Sequence, residues 1–307
     1  MNSVETGGVH PRPYQLHLAL TVVSVCFGAF SVVGKIALND RSVSAAALTE
    51  LRLASAALAF LAAAALRREA WPAPPRWLPL AGLALLGTVI NQVLFLTGLK
   101  HTSATEATLL VGSIPLFTFT AAWALGRERA NRGKWAGLAL ALCGIALLLA
   151  VRGLNFAAFS ERGHLLGDGL ILTNCLSYSF YLVAARPLLR ELPSVRAMGV
   201  LFLIGAIEFA PLGARPLAAV PWGALPPSTL AALAFVILFP TIIAYFLNLW
   251  VLKRAPPSLV AIYVLLQPLV TTTLALLPPL KERPGWGVIL PGVLIIAGVV
   301  VFSRKME

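Results

Sequence analysis

The feature that most limits what this chain can become is its succession of apolar blocks. Each is about 20 residues long and almost free of charge, and short breaks rich in Arg, Pro and Gly separate them. A helix rises about 1.5 Å per residue, so a block of this length crosses a hydrocarbon layer of about 30 Å. A soluble domain carries about 25% charged residues, whereas this chain of 307 has 12%, with 59% hydrophobic. The blocks therefore read as membrane spans, not as core helices of a soluble fold.

Divided at its charged and Pro/Gly-rich breaks, the sequence predicts ten spans. They cover residues 16–38, 43–66, 77–98, 103–125, 132–151, 166–186, 197–214, 229–251, 258–280 and 285–303. The first block is too long for a signal-peptide core and no small-residue cleavage site follows it, so it is expected to be retained. The net charge of +12 is spread over the short breaks, without the concentrated basic surface of a nucleic-acid reader. No nucleic-acid partner is expected, and the basic residues read as topological anchors. With a cytoplasmic N-terminus, 15 Lys and Arg fall on the inner side and 7 on the outer, which predicts both termini inside. Cys26, Cys143 and Cys175 all fall in spans, which argues against a disulfide framework or metal site. No metal or cofactor is expected.

The chain also repeats itself. A shift of 153 residues lays Lys100 on Lys253, Pro115 on Pro268, Thr118 on Thr271 and Thr120 on Thr273. With one inserted residue the match continues through Glu128 and Glu282 to Gly144 and Gly298, and at an offset of 151 Lys35 falls on Arg186. The expected organisation is a cytoplasmic tail (1–15), a five-helix repeat (16–151), an extracytoplasmic linker (152–165), a second five-helix repeat (166–303) and a tail (304–307). Five is odd, so the second copy enters the membrane the other way up. The fold class expected is an all-α membrane protein of ten transmembrane helices built as two inverted repeats, an arrangement typical of secondary transporters.

Several residues carry more than the pattern. These are Arg52, the run Thr102-Ser103-Ala104 to Pro115-Leu116, Gly126-Arg127-Glu128, Trp135-Ala136-Gly137 and Gly144. Pro268-Leu269, Glu282, Trp286 and Gly298 echo them in the second half. On these residues the sequence resembles the drug/metabolite transporter superfamily, in particular its EamA-like ten-span carriers. The resemblance covers about residues 16–303. It implies a secondary transporter of amino acids, drugs or related small metabolites, with export across a bacterial-type inner membrane. A non-transporting receptor or assembly subunit, and a membrane-embedded enzyme, are the competing readings. The latter lacks a cluster of catalytic groups, and there is no P-loop for nucleotide hydrolysis.

Charged groups deep in a span normally face a bundle interior or a wet cavity. Arg52 reads either as a structural ion pair or carbonyl clamp, or as the contact for an anionic substrate group. Glu50 and Glu208 read either as partners of Lys35 or Arg52, or as proton-coupling carboxylates. Asn91, Gln92, Asn174, Tyr178, Tyr181, Tyr245, Asn248, Tyr263 and Gln267 are candidates to line a substrate site; the alternative is interhelical hydrogen bonding. Pro115, Pro240 and Pro268 are expected to kink their helices. Ser103-Ala104-Thr105-Glu106 reads as a capping box. The Gly133-Lys134-Trp135-Ala136-Gly137 segment fits either internal packing or a homodimer contact.

Overall fold

A computed structural model of the protein describes residues 13–39, 42–102, 107, 110–151, 162–274 and 289–304. Its architecture is all-helical among these residues. The helices are α1 (Pro13–Asn39), α2 (Ala45–Leu66), α3 (Pro74–His101), α4 (Ile114–Ala124), α5 (Arg132–Val151), α6 (Arg162–Arg190), α7 (Ser194–Ala218), α8 (Pro227–Leu252), α9 (Pro257–Leu274) and α10 (Ile289–Arg304). Five of them, α1, α2, α3, α7 and α8, are long and apolar enough to cross a membrane. Leu18, Leu58, Leu78, Ile207 and Leu238 are exposed on these five, as befits helices solvated by lipid.

Packing follows a pattern. α2 lies along α7 and α5 along α10; α3 packs on α6, α1 on α8 and α9, and α4 on α6 and α9. Exchanging every helix for the one five places along returns the same set of pairs. Small residues set the closest of these approaches. A Cβ on Gly298 would come within 2.5 Å of the Ala141 backbone nitrogen, and one on Gly137 within 2.6 Å of that of Phe302. Gly137 therefore serves internal packing of α5 on α10.

The three prolines stand in different settings. Residues 112–113 form a turn and the helix restarts at Ile114, with Pro115 in its first turn. There the missing N–H costs nothing, so Pro115 begins a helix instead of bending one. Pro268 lies inside α9, directly after the 3-10 turn Tyr263–Leu266 at which the helical ladder changes. Pro240 sits inside a π-helical segment, Ile237–Ile243. α7 continues beyond its expected end at 214 to Ala218, carrying Pro211 and Pro216 within it. The proposed capping box at 103–106 and the side chain of Lys35 lie outside the described residues.

One end of the bundle gathers most of the basic breaks, and there the two halves are tied together. α2 and α4 both finish in a left-handed residue, Arg68 (φ 53) and Gly126 (φ 67). The next N–H reaches back five residues in each case, Glu69 to the Ala64 carbonyl and Arg127 to that of Ala122, the geometry of a Schellman end. The turn throws an acid across to the other half. Glu69 accepts from the backbone N–H of Arg196 at 2.7 Å, and Glu128 accepts from that of Ser258 at 3.1 Å. Both carboxylates thus satisfy orphan donors in the first turns of α7 and α9 and complement their positive ends. Arg196 also donates to the Glu69 carbonyl at 2.9 Å and lies over Trp71, 4.2 Å from the ring centre. Arg76 pairs with Glu191 at 2.8 Å on the surface.

Candidate functional site

Two helices carry the same irregularity. α3 passes through a π-helical segment at Leu85–Ile90 and α8 through one at Ile237–Ile243. They coincide in the repeat: Gly87 and Thr88 of the first stand 153 positions before Pro240 and Thr241 of the second. Pro240 explains the second segment, because it removes a donor from the helix ladder. Gly87 explains the first in part, because its bare backbone meets the Tyr181 ring, which would lie 2.2 Å from an added Cβ. Side chains satisfy carbonyls in and beside these segments. Thr88 donates to Ala84 at 2.6 Å, Ser177 to Leu86 at 2.8 Å and Thr241 to Val236 at 2.8 Å. Single π turns inside α-helices occur frequently at functional sites.

Residues just past the two segments, Asn91, Gln92 and Tyr245, help to line a cavity. Its wall draws on both halves: α1, α2 and α3 with residues 111 and 114 from the first, and α6, α8 and α9 from the second. Nine of the ten candidate residues stand in this wall: Arg52, Asn91, Gln92, Asn174, Tyr178, Tyr245, Asn248, Tyr263 and Gln267. The tenth, Tyr181, stands behind Tyr178, with ring centres 5.8 Å apart.

Many of these groups are already engaged. Asn174 donates to the Asn91 carbonyl at 2.6 Å, and Asn248 donates to the Tyr178 hydroxyl. Tyr263 bonds through its hydroxyl to His17 Nδ1 at 2.5 Å. Its carbonyl accepts from Ser24 at 2.7 Å. The Cys175 thiol faces the Leu110 carbonyl at 3.6 Å. These last two contacts are repeat counterparts, since Cys175 follows Ser24 by 151 positions and Tyr263 follows Leu110 by 153. Other polar atoms are left over. Asn248 Oδ1 is buried with no hydrogen-bond partner among the described residues. The Gln92 carboxamide sits beside the Tyr245 phenol, yet neither of its polar atoms has a well-aligned partner there. A buried polar atom without a partner costs free energy that a ligand can return.

Arg52 is 2% exposed and stands seven residues into α2, about 10 Å along its axis. Its Nε donates to Thr241 Oγ1 at 2.7 Å, and its guanidinium lies over the Phe30 ring, 4.4 Å from the centre. It is neither half of an ion pair nor a carbonyl clamp among the described residues. Phe30 stacks in turn on Phe95 at 5.4 Å, and Phe27 meets Tyr245 edge-on at 5.8 Å. The sequence did not single out Phe27, Phe30, Phe95 or Thr241. The available signal was the repeat, which places Phe27 opposite Tyr178 and Phe95 opposite Asn248 at the same offsets.

Glu50 and Glu208 stand elsewhere. Neither lines the cavity; they lie on α2 and α7, and Glu50 is buried where a Cβ on Gly213 would come within 2.7 Å of it. One oxygen of each carboxylate lacks a partner among the described residues. The expected pairing with Arg52 is absent there.

Known proteins give the arrangement a context. The model of the EamA-like transporter family matches this chain twice, over residues 16–150 and 165–304. An uncharacterized transporter of Archaeoglobus fulgidus is 30% identical over 241 residues, covering 78% of this chain and 81% of its own length. Protein WALLS ARE THIN 1 of Arabidopsis thaliana is 29% identical over 97% of this chain and 85% of its own, and the transporter YwfM of Bacillus subtilis is 28% identical over 78% and 77%. A solved crystal structure at 20% identity superposes with a TM-score of 0.72, over 96% of this chain and 99% of its own, and shares the fold. This multi-pass membrane protein belongs to the EamA-like transporter family of the drug/metabolite transporter superfamily.

Proposed function

We propose that the protein is a secondary transporter of small organic metabolites, working by alternating access. The observation that carries this reading is the cavity at the seam, whose wall is shared between residues 16–151 and 166–303. The helix pairs that survive exchange by five places, the matched π segments and the double family match support ten spans arranged as two inverted repeats. Inverted halves around a shared site can exchange conformations and open it to each side in turn. The excess of basic residues supports a cytoplasmic location for the tied end and both termini; an inner membrane, and export as the direction, are what the family resemblance implies. On this reading the contacts of Glu69 and Glu128 hold the cytoplasmic side together, and part when the cavity opens inward.

The test is flux. Proteoliposomes loaded with a defined mixture of amino acids, organic acids and amines are diluted, and the solutes that leave are measured against protein-free vesicles. The expected result is saturable release of a chemically related subset. Release at the protein-free rate for every solute overturns the reading.

A further inference from the structure

We infer that the cavity is built for an organic carboxylate with a flat apolar body, and that Arg52 is the group that receives the carboxylate. The inference rests on the transporter reading and names the chemistry of the same site. It begins with charge. Among the described residues lining the cavity Arg52 is the lone Lys, Arg, Asp or Glu. Glu50, two residues away on α2, projects about 200° around the helix from it and lies against α7. A guanidinium taken from water without a carboxylate is costly inside a membrane protein unless a ligand or wet cavity receives it.

Its hydrogen bonds leave room for such a ligand. Nε is committed to Thr241, whose own hydroxyl proton is committed to Val236. This fixes the guanidinium plane against Phe30. The two Nη groups make no hydrogen bond among the described residues, and neither is among the fully enclosed polar atoms. A planar fork of N–H donors held in place on one side and unfilled on the other matches the two oxygens of a carboxylate. The walls around it supply the rest of the specificity. Phe27, Phe30, Phe95, Tyr178 and Tyr245 line the cavity, so a flat apolar body finds ring faces and edges to pack on.

The second half of the molecule shows what the arrangement is not. The repeat counterpart of Thr241 is Thr88, and Gly205 presses against its hydroxyl, with an added Cβ at 2.5 Å. No cation occupies that place. The positive charge is therefore on one side of an otherwise two-sided cavity, which gives a bound anion a single orientation.

Three probes with the same phenyl body separate the outcomes: phenylacetate, phenylacetamide and phenethylamine, with charges of −1, 0 and +1. Equilibrium binding to the full-length protein in lipid nanodiscs is measured by calorimetry. The expected order is phenylacetate tighter than phenylacetamide by about tenfold or more, with phenethylamine weakest. Arg52→Gln should bring phenylacetate down to the level of the amide, and Arg52→Lys should restore part of the preference. Equal binding of acid and amide, a preference for the amine, a preference for the acid that survives Arg52→Gln, or no heat from phenylacetate at about 10 mM, a Kd range worth under about 3 kcal/mol, overturns the inference. If Arg52→Gln does not fold, the order measured on the unaltered protein decides alone. Flux of amines or neutral solutes in the proteoliposome experiment, without carboxylates, would remove the carboxylate assignment and leave the transporter reading standing.

Discussion

Glu128, just past the end of α4, accepts a hydrogen bond from the backbone N–H of Ser258 and another from its hydroxyl, 130 positions along the chain at the start of α9. The same carboxylate holds Lys134 at 3.1 Å, and both members of that ion pair are buried. Removing the acid therefore strands a cation and uncaps a helix together. Glu128→Ala should cost about 3 kcal/mol or more, and Ser258→Ala, which leaves the backbone N–H bonded, about 1 kcal/mol. Thermal unfolding in detergent checks the order, and Glu128→Gln with Lys134→Met should recover much of the loss. Equal midpoints for Glu128→Ala and Ser258→Ala would show that the cap carries no weight.

Arg68 adopts a left-handed backbone (φ 53) that a side chain resists, and its counterpart at the end of α4 is a glycine. Arg68→Gly should raise stability by about 0.5–1 kcal/mol, whereas Gly126→Ala should lower it by about 1 kcal/mol. The comparison requires only melting curves, and a loss of stability in Arg68→Gly would mean that the guanidinium itself contributes more than the backbone costs.

Two glycines of α3 should behave oppositely. A methyl group at Gly82 meets nothing within 4 Å, while at Gly87 it meets the Tyr181 ring at 2.2 Å. Gly82→Ala should leave folding and flux unchanged. Gly87→Ala should displace Tyr181 and the Tyr178 ring stacked on it, lowering flux severalfold at matched amounts of folded protein; wild-type flux would separate the π segment from the working of the cavity.

Topology is checked from outside the bundle. Arg68 and Lys100 are both exposed and lie at opposite ends of α2 and α3. In a cysteine-free background, Arg68→Cys should react with a membrane-impermeant maleimide only after the cytoplasmic side is opened, and Lys100→Cys should react in intact cells. The reverse pattern would invert the orientation.

The sequence was most informative where polarity is rare. An amide, phenol or guanidinium in an apolar span stands out, and nine such candidates converge on one cavity, although they come from five helices. Glu50 and Glu208 are equally rare in their spans but stand outside the cavity wall, and no spacing rule separates a carboxylate that lines a cavity from one held between helices. Phe30 and Phe95 were missed for the converse reason: a phenylalanine facing a cavity and one facing lipid read alike. The π segments were half legible. Pro240 announces a disturbed helix, but Gly87 acts through its contact with Tyr181, which only the packed structure reveals.

Those segments make the span a matter of phase as well as length. A π turn takes up one residue more than an α turn, so every side chain beyond it points about 100° away from where an unbroken helix would aim it. Gln92 and Tyr245, each just past its segment, owe their bearing on the cavity to that added residue. Removing one amino acid within either segment would leave a helix still able to reach across the membrane, with its polar residues turned aside.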